Sequence, residues 1–212
     1  FYVATWEGNR WATALNVGSP INSHLNEGAH TFSADGKIMI FVIIGDEGNY
    51  GPGRTGLGSG DLFYCQKING KWSAPKNLGT IVNSRNNDTQ PSLSADGKTL
   101  YFSSNRAGGF GTSDLYVTRF SAAGWSVPEN LGPKINTTEI EDGVFIHPNN
   151  QVLYFSSAGL PGLGQRDIYV CKRQYDGSWG EPVNLGYPIN TIDDQGSLIV
   201  AADGKTAYYA SD

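Results

Sequence analysis

Four side chains that could bind a cation or a polar ligand recur at one position of a long sequence repeat. Each lies five residues after a repeated asparagine, and the four are Glu27, Asp88, Glu141 and Gln195. If the repeat units are arranged around an axis, this column forms a ring at one mouth of a central channel. Such a ring would supply the several oxygen ligands that hard cations require. The alternative is structural, with each side chain capping a turn or accepting hydrogen bonds from backbone amides, and a feature present in every unit is more typical of architecture than of activity.

Glycoside hydrolysis is the enzymatic reaction that these acids suggest, because it needs two carboxylates in different environments at a set separation. Glu27 and Glu141 would face each other across the channel, and Asp88 and Asp194 offer further choices. Nothing in the sequence marks one of these acids as buried or unusually placed. The histidines occupy different positions of the repeat without an HExxH motif, and there is no Gly-x-Ser-x-Gly elbow. We therefore expect no catalytic residue and no cofactor, with the channel cation left as the one open alternative.

Three loops at equivalent positions of the repeat are candidates for contacts with other proteins. The first, which includes residues 46–54, is longer than its counterparts at 105–113 and 158–166. All three would lie on one face of the protein, and binding concentrates on loops that a rigid scaffold positions, although these loops could equally be solvated connectors. We expect Tyr50 in the first loop, and Trp6 outside the loops, to be exposed. The partner-binding residues predicted here are Asn49, Tyr50, Arg54, Arg106, Phe110, Leu160 and Arg166.

An internal repeat defines the elements that must position these residues. Trp72, Trp125 and Trp179 each open the phrase Trp-x-x-Pro-x-Asn-Leu-Gly in nearly the same form, at spacings of 53 and 54 residues, and Trp11 opens a degenerate copy. A tryptophan that recurs at one position favours packing between outer strands over binding of a glycan. Each phrase leads to a further asparagine, and these are Asn22, Asn83, Asn136 and Asn190.

Each repeat unit is predicted to form four short strands, and the second complete unit shows the pattern. Its Asp96–Gly97 turn suits a tight hairpin, because both central residues tolerate a positive φ. Pro128 fits an edge strand, where a missing amide donor is tolerated. No segment has a sustained 3.6-residue apolar period with caps, so we expect almost no helix. The strands predicted in this unit are 90–94, 99–103, 114–120 and an outer strand through Trp125.

A repeated four-stranded antiparallel sheet of this length predicts an all-β protein with the β-propeller architecture. A β-sandwich is the other architecture, but it does not require repetition. Because the two terminal pieces would complete one blade, a closed ring of four blades is favoured, and part of a five- or six-bladed ring is the alternative. The predicted divisions of this single domain are strands three and four of the closing blade at 1–18, whole blades at 19–79, 80–132 and 133–186, and strands one and two of the closing blade at 187–212.

The composition of the 212 residues narrows the function. A net charge of -5 argues against a nucleic-acid-binding face. No run of eighteen apolar residues exists, so we expect no direct membrane insertion. The chain begins at Phe1 rather than at a methionine, and we expect it to be a piece of a longer protein. Cys65 and Cys171 occupy the same position of two units that would lie opposite each other, which predicts two free, half-buried thiols instead of a disulfide.

The repeat resembles a known family. Ser-Ala-Asp96-Gly97-Lys-Thr-Leu-Tyr-Phe-Ser-Ser-Asn-Arg106, followed by Gly-Gly-x-Gly and Ser-Asp114-Leu-Tyr-Val, resembles the WD40-like PD40 repeat of TolB-type propellers. With the tryptophan phrase added, it is similar to propellers embedded in OmpA-family outer-membrane lipoproteins of Bacteroidota-type bacteria. The third unit departs from the pattern, with His147-Pro148-Asn149-Asn150 at its turn, and the first unit departs with its longer loop.

The resemblance implies a location and a class of function. Family propellers commonly accompany a tetratricopeptide segment and an OmpA-like peptidoglycan-binding domain, and some members serve type IX secretion and gliding. It therefore implies a non-catalytic scaffold at the periplasmic face of the outer membrane that contacts other envelope proteins, in a secretion or anchoring complex. Peptidoglycan would be bound only through a domain outside this chain. A propeller hosts unrelated activities, so a cation-binding, glycan-binding or hydrolytic protein that uses the acidic channel mouth is the alternative.

Overall fold

The computed structural model describes residues 1–45 and 49–212, and every regular element in this part of the chain is a β-strand. This confirms the expectation of almost no helix for the described residues, where no helix is long and apolar enough to cross a membrane. The strands are β1 (Tyr2–Val3), β2 (Leu15–Asn16), β3 (Asn26–Phe32), β4 (Ile38–Ile44), β5 (Gly60–Ile68), β6 (Lys71–Trp72), β7 (Lys76–Asn77), β8 (Asp88–Leu93), β9 (Thr99–Ser104), β10 (Asp114–Ser121), β11 (Gly124–Trp125), β12 (Glu129–Asn130), β13 (Glu141–Ile146), β14 (Val152–Ser157), β15 (Asp167–Lys172), β16 (Val183–Asn184), β17 (Gln195–Val200) and β18 (Ala207–Ser211).

The strands form three antiparallel sheets and two hairpins, in chain order. Strands β3–β7 form blade A, β8–β12 form blade B and β13–β16 form blade C, while β1–β2 and β17–β18 are separate hairpins. In blades A and B the outermost strand is split into two short pieces, with Pro75 and Pro128 between them. Proline has no N–H to donate to the neighbouring strand, so the pairing breaks there. The four-stranded unit read from the repeat is therefore confirmed.

Hydrophobic side chains fill the seams, our term for the interfaces between successive sheets. Side chains alternate between the two faces of a strand. On β9, Leu100 and Phe102 therefore pack in the seam between blades A and B, while Tyr101 packs in the seam between blades B and C. Each large apolar side chain that is fully buried in this way stabilises the fold by ~1.5–3 kcal/mol. Packing from blade to blade holds the molecule together.

The innermost strands of blades A, B and C and of the C-terminal hairpin surround a shared space. Strands β3, β8, β13 and β17 together line one cavity of about 440 Å³. Each of these strands carries a β-bulge or similar register shift, such as the irregularity between Thr89 and Ser92 in β8. Sheets that pack side by side around a common cavity, with their first strands innermost, have the arrangement of a β-propeller.

The blades do not close into a ring, so the favoured prediction of a closed four-bladed propeller is wrong. Within the described residues, β1 pairs only with β2 and β18 pairs only with β17. Closure would also make the innermost strands β3 and β17 neighbours, but contacts run only from β3 to β8, from β8 to β13 and from β13 to β17. All five residues of β18 are exposed. The blades therefore form an open arc, which fits the alternative of consecutive blades from a larger ring.

The hairpin turns that join the first two strands of each unit are wider than predicted. The N–H of Ser94 donates to the carbonyl of Thr99, so four residues form the loop, and only Gly97 has a positive φ, at 69°. The carboxylate of Asp96 accepts a hydrogen bond from the N–H of Lys98 at 3.0 Å instead of occupying a left-handed position. The third unit keeps the geometry because Asn150 takes the glycine position with a φ of 56°, and asparagine tolerates this region better than most residues.

The two cysteines are free, as predicted, but both are completely buried rather than half-buried. Cys65 packs in the seam between the N-terminal hairpin and blade A, and Cys171 packs in the seam between blades B and C. Burial raises the pKa of each thiol to about 12. Both act as small apolar side chains of the core.

Candidate functional site

The loop face is the end of the molecule at which the second strand of each blade connects to the third. Its loops are 49–59 in blade A, together with 105–113 and 158–166 in blades B and C. The segments that lead into the innermost strands of blades B, C and the C-terminal hairpin reach the same face. Residues 46–48 of the long first loop lie outside the described residues. The predicted channel column and the predicted partner-binding residues are both found on this face.

The four side chains of the column lie where the innermost strands begin. Each accepts a hydrogen bond from the backbone N–H four residues earlier; the distance from the N–H of Ser84 to Asp88, for example, is 2.6 Å. The equivalent bonds join Ser23 to Glu27, Thr137 to Glu141 and Thr191 to Gln195. A turn that is capped in this way in every unit matches the structural alternative stated for the column.

Further donors complete the environment of the column carboxylates. Asp88 accepts from the Ser104 hydroxyl and from the guanidinium of Arg106, both at 2.6 Å. Glu27 accepts from the guanidinium of Arg54 at 3.0 Å. Within the described residues, no three acidic, histidine or cysteine side chains come together in a group that could hold a metal ion. The carboxylates are therefore used inside their own units.

Glu141 differs from the other acids of the column. Like Asp88 it is fully buried, but within the described residues its hydrogen bonds come from neutral donors alone, namely the N–H and hydroxyl of Thr137 and the hydroxyl of Ser157. Burial raises the pKa of this carboxyl group. The position of Arg106 in blade B corresponds to Gly159 in blade C, where a Cβ would lie 1.9 Å from Oγ1 of Thr137. No side chain fits there, so blade C lacks the arginine, and one acid is indeed unusually placed.

The three arginines predicted to bind partners are turned towards their own domain. Arg54 is almost completely buried and also donates to the carbonyls of Pro20 and Ile21. Arg106 lies over the ring of Phe102 at 5.0 Å. Each side chain links the loop between the second and third strands of its blade to the segment at the start of the innermost strand. Neither guanidinium is free for a partner.

Arg166 joins blade C to the C-terminal hairpin. Its guanidinium donates to Asp142 at 2.6 Å and to Asp194 at 2.5 Å. The bond to Arg166 lowers the pKa of Asp194, whereas burial raises the pKa of Asp142 despite the same arginine. The side chain therefore holds two acids that would otherwise repel each other across a seam.

The predicted exposure of Tyr50 is wrong. Its side chain is completely buried in the seam between the N-terminal hairpin and blade A, and its hydroxyl donates to the carbonyl of Gly58 at 2.7 Å. Leu160 likewise packs against the seam between blades B and C. Of the remaining predicted residues, Asn49 and Phe110 lie at the surface, and Trp6 is half exposed with its ring against Trp11.

Three exposed apolar side chains occupy equivalent positions in the loops of the three blades. Of these, only Phe110 is among the partner-binding residues predicted from the sequence. Leu57, Phe110 and Leu163 are spaced by 53 residues, and their exposed fractions are 38%, 49% and 56%. Each lies four residues before a repeated, buried aspartate, and that spacing was the signal that could have revealed the row. We call these three residues the apolar row.

The aspartate behind each member of the apolar row fixes the loop that carries it. In blade B, Asp114 accepts from the N–H of Phe110 at 2.6 Å and from the N–H of Gly111 at 3.0 Å. The amide of Asn130, from the repeated phrase, donates to the same carboxylate at 2.9 Å. Asp61 and Asp167 repeat these contacts in blades A and C. The backbone that carries the apolar row is therefore held in place by these hydrogen bonds.

The repeated asparagines brace the third strand of each blade. Asn136 accepts from the N–H of Leu115 at 2.8 Å, and its amide donates to the carbonyl of Leu115 at 3.0 Å and to the side chain of Asn130 at 2.8 Å. Asn83 and Asn190 make the same three bonds in their own blades. The repeated phrase thus encodes an internal brace.

The repeated tryptophans pack on the seams, as predicted. Trp72, Trp125 and Trp179 each lie partly buried against a different hydrophobic cluster. Trp179 meets the ring of Tyr101 from the preceding blade edge to face, with the ring centres 6.2 Å apart. The guanidinium of Arg173 lies 4.8 Å from the centre of the Trp179 ring.

The chain is similar to solved β-propellers. TolB from Acinetobacter baumannii is 15% identical with a TM-score of 0.56, over 89% of this chain and 38% of that chain. A TolB candidate from Agrobacterium tumefaciens is 16% identical with a TM-score of 0.51, over 90% of this chain and 71% of that one. The tricorn protease is 14% identical with a TM-score of 0.51, over 86% of this chain and 20% of that chain. No family model and no curated protein sequence matches the chain.

These likenesses confirm an all-β fold of the β-propeller class. The chain spans only part of the Acinetobacter TolB, which agrees with an open arc of blades. At such low identity the likeness shows the fold alone, and propellers host unrelated activities.

Proposed function

We propose that the chain is a non-catalytic propeller scaffold that binds another protein through its loop face. The observation that carries the proposal is the apolar row, in which Leu57, Phe110 and Leu163 present exposed side chains from equivalent loops of three successive blades. Scattered single apolar residues are normal on protein surfaces. A row repeated with the blade period on one face is different, because it offers a partner a periodic set of apolar contacts.

The rigidity of the loops supports this function. Binding costs free energy when side chains and loops must be ordered, and a preorganised surface reduces that cost. The buried carboxylates of Asp61, Asp114 and Asp167 hold the backbone N–H groups of the apolar row. A partner would therefore meet apolar side chains on loops that are already fixed.

The absence of catalysis is part of the proposal and is supported by how the acids are used. Glycoside hydrolysis needs two carboxylates that are free to act on a substrate in different environments. Glu27 and Asp88 are bound to arginines, and Glu141 has no exposed surface. The acids of the column stabilise turns and loops of their own blades. We therefore place the function on the exposed loop face.

The cellular setting is the finer part of the proposal. The PD40-type turn and strand pattern, together with the tryptophan phrase, supports a propeller of an OmpA-family-like protein of the bacterial cell envelope. There it would act at the periplasmic face of the outer membrane, in a secretion or envelope-anchoring complex with other envelope proteins. Fractionation of cells that express the full-length protein tests this part: recovery in the cytoplasm would contradict it.

Capture of the partner tests the role of the loop face. The loop-face variant combines Leu57→Ser, Phe110→Ser and Leu163→Ser. Tagged wild-type chain and this variant are incubated with solubilised envelope proteins of the source organism, and bound proteins are quantified by mass spectrometry. We expect the partner to be enriched by the wild type and lost from the loop-face variant, because its apolar contacts are replaced by hydroxyl groups.

A control variant with the same chemistry at the opposite end separates specific binding from general stickiness. Ile68 is the last residue of β5 and Tyr175 follows the end of β15, both at the end of the blades opposite the loop face, and they are 60% and 113% exposed. The control carries Ile68→Ser and Tyr175→Ser, and we expect it to capture the partner as well as the wild type. Equal capture by all three proteins, with the melting temperatures unchanged, would overturn the proposed loop-face function.

A further inference from the structure

A second pocket opens in the seam between blades A and B; its lining shares only Leu93 with the central cavity and includes no residue of the apolar row. Its volume is about 360 Å³, which is within the range of small-ligand sites. Ile40 and Leu78 of blade A and Leu93 of blade B give it apolar walls, and Trp125 and Tyr64 add aromatic ones. A pocket with aromatic walls at an interface between rigid sheets is suited to a planar apolar group.

The next seam along the chain shows what occupies the equivalent space. Ile40 corresponds to Tyr101 of blade B in the repeat, and Trp125 corresponds to Trp179 of blade C. In the seam between blades B and C, the ring of Tyr101 is 2% exposed and packs against Trp179. In the seam between blades A and B, the ring partner of Trp125 is Phe120 of its own blade, at 5.1 Å.

The difference arises from an exchange between two paired strands. Tyr101 on β9 lies opposite Val117 on β10, whereas Ile40 on β4 lies opposite Tyr64 on β5. Blade A therefore carries its tyrosine one strand further from the centre, where the side chain is partly exposed. The position next to Trp125 that a tyrosine ring fills in the neighbouring seam has only the shorter side chain of Ile40.

Two polar groups at the pocket are free to bind. Neither the hydroxyl of Tyr64 nor the side-chain amide of Gln66 has a hydrogen-bond partner among residues 1–45 and 49–212. Both residues line the pocket. A few placed polar groups on an apolar pocket commonly set the orientation of a ligand. Here they could meet a phenol hydroxyl or the peptide groups beside an inserted ring.

We propose that this pocket receives one tyrosine side chain of a partner polypeptide, with its ring against Trp125. The proposal rests on the proposed scaffold function, because it assigns a second contact point to the same partner. The choice of tyrosine follows from the neighbouring seam, in which the chain itself places a tyrosine ring against the equivalent tryptophan. The Tyr64 hydroxyl and the Gln66 amide are the hydrogen-bonding groups for the inserted residue.

Titration with N-acetyl-L-tyrosinamide, monitored by NMR, tests the pocket directly. The indole N–H signal of Trp125 is assigned from its loss in Trp125→Phe. We expect a saturable shift of this signal with N-acetyl-L-tyrosinamide, a smaller or absent shift of the other four tryptophan signals, and no shift with N-acetyl-L-alaninamide. An unmoved Trp125 signal, or equal shifts of all five, would overturn the proposal.

A transplant between the two seams gives the matched variant. Ile40→Tyr combined with Tyr64→Val copies the Tyr101 and Val117 pair into blade A, which fills the pocket from within. We expect this variant to lose the saturable shift and to keep the melting temperature of the wild type or exceed it. Binding that is unchanged in a folded transplant variant would contradict the proposal.

Gln66→Ala covers the case in which the transplant does not fold, because Gln66 is exposed and its loss leaves the core intact. We expect weaker binding of the tyrosinamide by this variant, and unchanged binding would contradict the assigned polar contact. The two proposals fail separately. If the Trp125 signal does not shift but the loop-face variant loses the partner, only the pocket proposal is contradicted. If the loop-face variant still captures the partner, the loop-face function is contradicted.

Discussion

Removal of the Asn136 side chain is the sharpest test of the internal brace. Asn136→Ala deletes three hydrogen bonds, two to the backbone of Leu115 and one to the side chain of Asn130. Asn136 is 1% exposed and Leu115 is fully buried, so the N–H of Leu115 is left unpaired and away from water. The carbonyl of Leu115 still accepts from the N–H of Leu131, and Oδ1 of Asn130 still accepts from the N–H of Gly132. Each buried polar group left unpaired costs about 1–3 kcal/mol. Adding about 1 kcal/mol for each of the two other lost hydrogen bonds, we expect a total loss of about 3–4 kcal/mol.

The chain contains its own control for this perturbation. Asn22 makes the corresponding bonds to the amino group and carbonyl of Phe1 and to the side chain of Asn16, but this site is only partly buried. Water can replace the lost partners there, so we expect Asn22→Ala to cost ~1 kcal/mol. Urea unfolding of both variants, followed by tryptophan fluorescence, measures the two losses. A cost below ~1 kcal/mol for Asn136→Ala, or equal costs at the two sites, would refute the reasoning.

Three further perturbations probe the buried groups. Glu141→Gln is expected to raise stability at pH 7 by about 1 kcal/mol, because Gln195 shows that an amide fits this column and neutral hydrogen bonds replace a buried charge. Burial raises the folded-state pKa of Glu141, so the wild type regains stability as the pH falls through that pKa. The advantage of the variant in thermal unfolding should therefore shrink towards pH 4, and an advantage that grows would contradict this account. Cys65 and Cys171, with pKa values raised to about 12, should resist a thiol reagent at pH 8 in the folded protein and both react in urea, and rapid labelling without urea would refute their burial. Tyr50→Phe should cost ~1–2 kcal/mol in urea unfolding through the unpaired carbonyl of Gly58, and an unchanged midpoint would count against the buried loop.

The repeat was enough to predict the strands and the packing of the tryptophans. A fixed spacing places equivalent residues at equivalent positions of each blade, so Trp72, Trp125 and Trp179 had to share one environment. The repeat also pointed to the column that includes Asp88 and Glu141. It did not identify their partners, because these are backbone amides and hydroxyls of the same blade that become neighbours only after folding.

Features that depend on the path of the backbone could not be predicted from residue types. The long loop of blade A turns back so that Tyr50 enters a seam, and Gly56 makes room for it, since a Cβ there would lie 2.0 Å from the Tyr50 ring. The prediction of a closed ring was wrong because it also depended on a property of the folded chain. The complementary pattern of β1 and β18 indicates that such strands can pair, but the angle between successive blades is set by seam packing, which no single strand encodes.

Crosslinking from the loop face is the most direct test of the central claim that this face binds a partner. A photo-reactive phenylalanine analogue replaces Phe110 in one protein and Ile68, at the opposite end of the blades, in another. Both are irradiated with solubilised envelope proteins of the source organism. The account predicts a specific crosslinked partner from position 110 and none from position 68. A partner crosslinked only from position 68, or equally from both, would contradict it.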